Sequence, residues 1–198
     1  MTSSTGQVVR NFLFGFIAFC VIDHLHAECA DVNGTRFGQS SDIVRAMATY
    51  PQFSSASIEV DAPPDVVWRL VADITRMGEW SPECYRAEWE GDSDAPEVGA
   101  HFHGYNRAGT FEWDAPCVVT ECEPGRLFAF AVPRDSPDVN TWRFEFTPHG
   151  SGTVLQESFD APLINVDGSP ANFEGRFEML AEAIKKTIAN IKAAAEAS

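Results

Sequence analysis

His101 and His103, one residue apart in AHFHGYNR (100–107), are the most suggestive pair of chemistry-bearing side chains in this sequence. On a strand that spacing puts both imidazoles on one face, as a strand-borne metal site requires. A catalytic metal asks for more, commonly three protein donors and an open position. The next carboxylate, Glu112, comes late, and His149 falls in a turn. If Phe102 points inward, both histidines point to solvent, so no metal ligand is assigned and a metal-dependent enzyme ranks last. Asp73, Glu83 and Glu157 are the carboxylates available for general acid–base work. Asp73 reads as easily as a helix-end residue. Glu157 reads, with Arg143, as a polar group near a sheet or as half of an outer-face ion pair, which is worth little. There is no G-x-S-x-G, no Walker loop and no GxGxxG opening a helix. No catalytic residue is assigned, and no cofactor is expected.

The thiols and charges narrow the partners. Cys20, Cys29, Cys84, Cys117 and Cys122 are odd in number and form no CxxC. Cys117 and Cys122, separated by an odd step, would face opposite sides of a regular strand. They read as reduced thiols of a cytoplasmic protein. The net charge of −15 argues against nucleic acid and against an anionic membrane surface. The only lysines are Lys185, Lys186 and Lys192, so no basic patch can be assembled. At 198 residues and 44% hydrophobic composition the chain suits one domain with its own core.

The first fifty residues do not match the rest. NFLFGFIAFCVI (11–22) is apolar but shorter than a membrane span. It can serve as a signal-peptide core, with Arg10 before it and a poor cleavage site after Cys29; export on residues 1–29 is the alternative to a cytoplasmic location. Residues 28–46 read as loop. The working domain is expected to begin near Met47, with residues 1–46 a poorly ordered extension or the product of an upstream start.

From there the pattern is regular. SASIEVDA (55–62) alternates as a strand. PPDVVWRLVADI (63–74) opens on prolines suited to a helix start and carries a helical stripe at Val67, Leu70, Val71 and Ile74. Six strand-like runs follow at 84–91, 100–107, 110–123, 127–133, 141–148 and 153–160, several joined by short turns. Short connections predict an antiparallel meander. A long helix closes the chain, with Ser169 as its cap, Pro170 in its first turn, and Phe173, Phe177, Leu180, Ile184, Ile188 and Ile191 on one face. Its stripe needs the concave face of the sheet. The class is α+β.

This order resembles the START-like, or SRPBCC, helix-grip superfamily, and within it the polyketide cyclase/dehydrase and lipid-transport branch. The resemblance is carried by IEVDAPPDVVWRLVADITRMGEWSPE (58–83), VGAHFHGYNR (98–107), ECEPGRLFAF (121–130), TWRFEF (141–146) and GTVLQESF (152–159). It covers roughly residues 54–195. It implies a curved antiparallel sheet of about seven strands around the C-terminal helix, two short helices after the first strand, and a START-like domain at 47–198. It also implies a cavity between sheet and helix for a small apolar ligand. Trp80 then falls at the cavity mouth, where Trp80→Ala is expected to weaken binding more than folding. Phe102, Trp113, Phe128, Phe130, Trp142 and Phe144 either line the cavity or pack as core, since most such residues are core. Asn106 shares the face of Phe102 and can offer its amide to a carbonyl or hydroxyl; its other role is to form the turn before Ala108 and Gly109. The expected function is binding of a lipid or polyketide-like molecule, by a monomer or homodimer without membrane insertion. The alternative is a polyketide aromatase, cyclase or dehydratase using the same cavity. A buried carboxylate or histidine with a perturbed pKa in the cavity would favour the enzyme.

Overall fold

The computed structural model describes residues 52–166, 168–169 and 171–197 in full, and the backbone alone of four strands before them. Contacts divide the chain into two units, Met1–Tyr50 and Pro51–Ser198. In the first, β1 (Val8–Leu13), β2 (Phe16–Asp23), β3 (His26–Ala30) and β4 (Arg36–Phe37) pair antiparallel in that order. β1 and β2 take up the apolar run, and β4 falls in the stretch that reads as loop. The expectations of a poorly ordered extension and of a cleavage site after Cys29 rest on residues largely outside the described ones.

Among its described residues the second unit holds seven strands, a short α-helix, two 3-10 helices and a long C-terminal helix. β5 (Phe53–Val60) leads through Pro63 into α1 (Pro64–Ala72). Asp73 ends α1, and its carboxylate accepts from the Thr75 N–H at 3.2 Å, capping a 3-10 helix over Ile74–Glu79. Asp73 is thus the helix-end residue of the two readings, and the two short helices are one α and one 3-10. β6 (Cys84–Trp89), β7 (His101–Ala108), β8 (Phe111–Glu123), β9 (Leu127–Val132), β10 (Asn140–His149) and β11 (Gly152–Asp160) follow. The seven strands form one antiparallel sheet in the order β5-β11-β10-β9-β8-β7-β6.

Register decides which side chains face inward. Phe102 opposes Cys117 on one side and Trp89 on the other. Val119 opposes Phe130, but Glu121 opposes Ala129, so Thr120 is the extra residue of a bulge. A bulge shifts the alternation by one. Cys122 therefore lies opposite Phe128 on the inner face, as Cys117 lies opposite Phe102. The expectation that these two thiols face opposite sides is corrected by that one inserted residue.

α2 spans Arg176–Glu196, so the helix starts later than Ser169. Gly175 just before it holds φ +76, a left-handed conformation foreign to a helix and easy for glycine. Ser169 instead accepts from the Ala171 N–H in a turn, and Phe173 lies off the helix, partly exposed. The rest of the stripe holds: Leu180, Ile184, Ile188 and Ile191 are buried. Phe177 meets Phe159 edge-on at 5.8 Å. The helix end is fixed to the sheet edge by Lys192 donating to the Glu59 carbonyl and by Glu196 accepting from the Asp61 N–H, each at 2.8 Å. Among the described residues no helix is long and apolar enough to cross a membrane.

Candidate functional site

The inner face of the sheet and α2 do not close on each other completely. They leave a cavity of about 260 Å³. The sheet contributes Phe102, Gly104 and Asn106 from β7, Trp113, Ala115 and Cys117 from β8, Phe130 and Val132 from β9, Trp142 and Phe144 from β10, and Glu157 from β11. α2 contributes Arg176, Leu180, Ala183, Ile184 and Thr187, and the segment after α1 contributes Met77, Trp80 and Ser81. Period two explains the sheet set, since each named strand residue lies two positions from its neighbour. Gly104 lines the wall without a side chain; a Cβ there would make ordinary contacts, at 3.6 Å to Ala115 Cβ and 3.7 Å to Cys84 Sγ and Asn106 Nδ2.

Seven of the eight residues expected from sequence, Trp80, Phe102, Asn106, Trp113, Phe130, Trp142 and Phe144, line this cavity. Phe128 does not. It shares the face of Phe130, yet it is fully buried beside Leu127, whose carbonyl accepts from Trp68 Nε1 of α1 at 3.0 Å. That end of the sheet is packed solid. Phe130 lies 6.3 Å from Phe128 and, on the cavity wall, meets Phe102 edge-on at 5.2 Å and stacks on Trp142 at 5.9 Å. Trp80 is both wall and core. It is only 3% exposed, and Asn190 of α2 donates to its carbonyl at 3.0 Å. At the rim, Phe111 stacks on Trp113 at 5.5 Å and is half exposed.

Two ionisable features stand out among the polar groups of the wall. The first is Glu157. It opposes Phe144 on β10 and Ala56 on β5, so its side chain points inward. It is 4% exposed, and Oε2 has no hydrogen-bond partner. Burial pushes its carboxyl well above the ordinary carboxylate range. Arg143 opposes Ser158 instead and pairs on the outer face with Glu121 and Glu145. The outer-face pair between Glu157 and Arg143 therefore does not exist. The second feature is a buried ion pair between Glu83 and Arg176, with Arg176 Nη2 donating to Glu83 Oε2 at 2.9 Å. The guanidinium lies 5.4 Å from the Trp113 ring and 5.3 Å from that of Phe173, and its Nε is buried without a partner.

The other candidates lie elsewhere or are inert. His101 is exposed, and His103 sits between Glu90 and Asp114, 3.8 Å from each. Among the described residues no three metal-type ligands cluster. Burial raises the Cys84 and Cys117 thiols, which makes them poor nucleophiles. The sequence offers Glu157 as a carboxylate near the sheet but not its face, which the pairing with Phe144 fixes. Arg176 was missed, because a helix drawn from Ser169 makes it one more polar position. The site can hold an apolar molecule and offer it a few buried donors.

Comparison with known proteins places the domain. The family model described as polyketide cyclase / dehydrase and lipid transport matches residues 53–196. A crystal structure of a protein from Thermus thermophilus is similar with a TM-score of 0.58 and 16% identity, over 73% of this chain and 97% of that one. One from Nitrosomonas europaea is similar with a TM-score of 0.55 and 16% identity, over 72% and 92%. A solution structure of a polyketide-cyclase-like protein from Corynebacterium glutamicum is 33% identical over 75% of this chain and 87% of that one, with a TM-score of 0.44. No curated protein matches in sequence.

Proposed function

The chain belongs to the polyketide cyclase/dehydrase and lipid-transport family, and on that premise we propose that it binds a small apolar molecule, of lipid or polyketide-like chemistry, in the cavity between the sheet and α2. One observation carries this reading: a cavity walled by Trp80, Phe102, Trp113, Phe130, Trp142 and Phe144, with few polar groups among them. Cavities of this composition suit apolar ligands. Aromatic walls contribute through burial of ligand surface, at about 25 cal/mol per Å² removed from water. We place the protein in the cytoplasm, on the free thiols Cys84, Cys117 and Cys122. The test is native mass spectrometry of the gently purified full-length chain beside Ala183→Phe, which fills the cavity from the helix side. A co-purifying apolar molecule present in the wild type and missing from the variant is the expected result. A molecule retained by both would place binding elsewhere.

Glu157 favours a second reading, an aromatase, cyclase or dehydratase. An uncharged carboxylic acid inside an apolar pocket is equipped to act as a general acid on a ketone oxygen. Turnover of a poly-β-ketone, abolished in Glu157→Gln while binding persists, would select the enzyme over the carrier.

A further inference from the structure

We propose that Glu157 is the ligand-recognition residue deep in the cavity: its carboxylic acid donates a hydrogen bond to a carbonyl oxygen of the bound molecule, so the ligand is an apolar ketone, aldehyde or ester rather than a hydrocarbon. This rests on the binding reading above and names the chemical class that the site selects.

The geometry leaves this acid without a use inside the protein. Buried polar atoms in folded proteins almost always have partners, yet Oε2 has none. The strands on either side offer it Phe144 and Ala56, neither of which can hydrogen-bond through its side chain. Across the cavity α2 presents Leu180, Ala183, Ile184 and Thr187. Thr187 donates to the Ala183 carbonyl at 3.0 Å and makes no hydrogen bond to Glu157 Oε2. The titratable and charged groups on the cavity wall are Glu83, Cys84, Asp114, Cys117 and Arg176. Arg176 is neutralised by Glu83, the thiols are held protonated by burial, and Asp114 is largely exposed. No cation is left over to stabilise an ionised Glu157. The side chain is therefore a neutral acid, whose O–H is a donor in search of an acceptor. A carbonyl oxygen supplies one without bringing a charge into the apolar space.

Three probes on one skeleton test this with the full-length protein: 2-acetylnaphthalene, 2-ethylnaphthalene and 2-(aminomethyl)naphthalene, titrated by fluorescence. The wild type should bind the ketone about tenfold more tightly than the hydrocarbon. Glu157→Leu should lose that preference and bind the hydrocarbon at least as well. Glu157→Gln, which keeps an N–H donor, should retain most of it. Raising the pH through the alkaline range should erode the preference in the wild type and not in Glu157→Gln, a comparison that needs no Leu variant to fold. Equal affinities for ketone and hydrocarbon, or a preference that survives in Glu157→Leu, would overturn the inference and leave the apolar-cavity reading standing. Amine binding that exceeds ketone binding and depends on Glu157 would overturn it too, making the residue an anion site. Binding of none of the probes would sink the binding reading itself, and the inference with it.

Discussion

The two faces of one sheet treat carboxylates in opposite ways. On the outer face Glu112 meets Arg107 at 2.7 Å, Glu88 meets Arg86 at 3.4 Å, and Glu121 and Glu145 share Arg143. Arg86 and Arg107 also lie over the rings of Tyr105 and Tyr85, at 3.9 and 4.8 Å. Beside that face Glu90 is pulled below its ordinary pKa, first by its hydrogen bond with Arg134. On the inner face Glu157 has no cation and is pushed up by burial. Arginines partner the outer carboxylates; the inner one faces an apolar wall with no cation beside it.

The largest test of that contrast is Trp80→Ala, on the wall where the apolar lining and the core are the same atoms. At 3% exposure the indole is bound into the core, so the substitution is expected to cost about 3–5 kcal/mol in urea unfolding. Loss of ligand with less than about 1 kcal/mol of destabilisation would make Trp80 wall only, as its place in the sequence suggested. Next comes Arg176→Leu. It strands Glu83, whose side chain is 15% exposed, and removing one partner of a buried pair costs about 3 kcal/mol. Restoring stability in the double variant Arg176→Leu with Glu83→Leu would show that the loss comes from the stranded charge. Failure to restore it would make the packing of Arg176 against Trp113 and Phe173 the larger contribution.

Most of the sheet was legible because its strands alternate and its turns are short. Period two pairs Phe102 with Asn106, Phe128 with Phe130 and Trp142 with Phe144 on common faces, and the resemblance supplied the cavity that those faces meet. What could not be read was set by single residues acting on the backbone. Thr120 is the bulge residue that brings Cys122 to the inner face, and no local pattern marks it. Gly175 ends a turn segment with a positive φ, so the helix begins at Arg176 although apolar spacing continues back to Phe173. Phe128 and Phe130 are indistinguishable in sequence. Only the packing of α1 over Leu127, through Trp68, separates core from cavity wall. The fate of Glu157 depended on register against β10, which places Phe144 opposite it and Arg143 one step away.

Glu157→Gln is expected to have a smaller effect of opposite sign. A carboxyl whose folded-state pKa is raised binds more protons folded than unfolded, so stability falls as pH climbs above the ordinary value of 4.5. The amide does not titrate. The variant should match the wild type near that pH and gain on it steadily as pH rises, by about 1.4 kcal/mol for each unit by which the folded-state value exceeds the unfolded one. Urea unfolding of both proteins across this range checks it. A wild-type stability that rises with pH relative to the variant would mean that Glu157 is ionised and partnered. Glu90, lowered by Arg134, acts in the other direction: what it contributes is present above the ordinary carboxylate pKa and fades as pH drops below it.

The smallest expected effect belongs to the outer face. Arg143→Ala removes the shared partner of Glu121 and Glu145, in a side chain 36% exposed. Exposed pairs are worth about 0.2–1 kcal/mol and are screened by salt. The variant should lose less than about 1 kcal/mol at low ionic strength and approach the wild type near 1 M salt. Its affinity for the naphthalene probes should not change, because the guanidinium lies behind the sheet from the cavity. A loss of several kcal/mol that salt does not relieve would mean that the outer network sets the curvature of the sheet. The two faces would then be mechanically coupled, and the neutrality of Glu157 would depend on charges on the far side of its own strands.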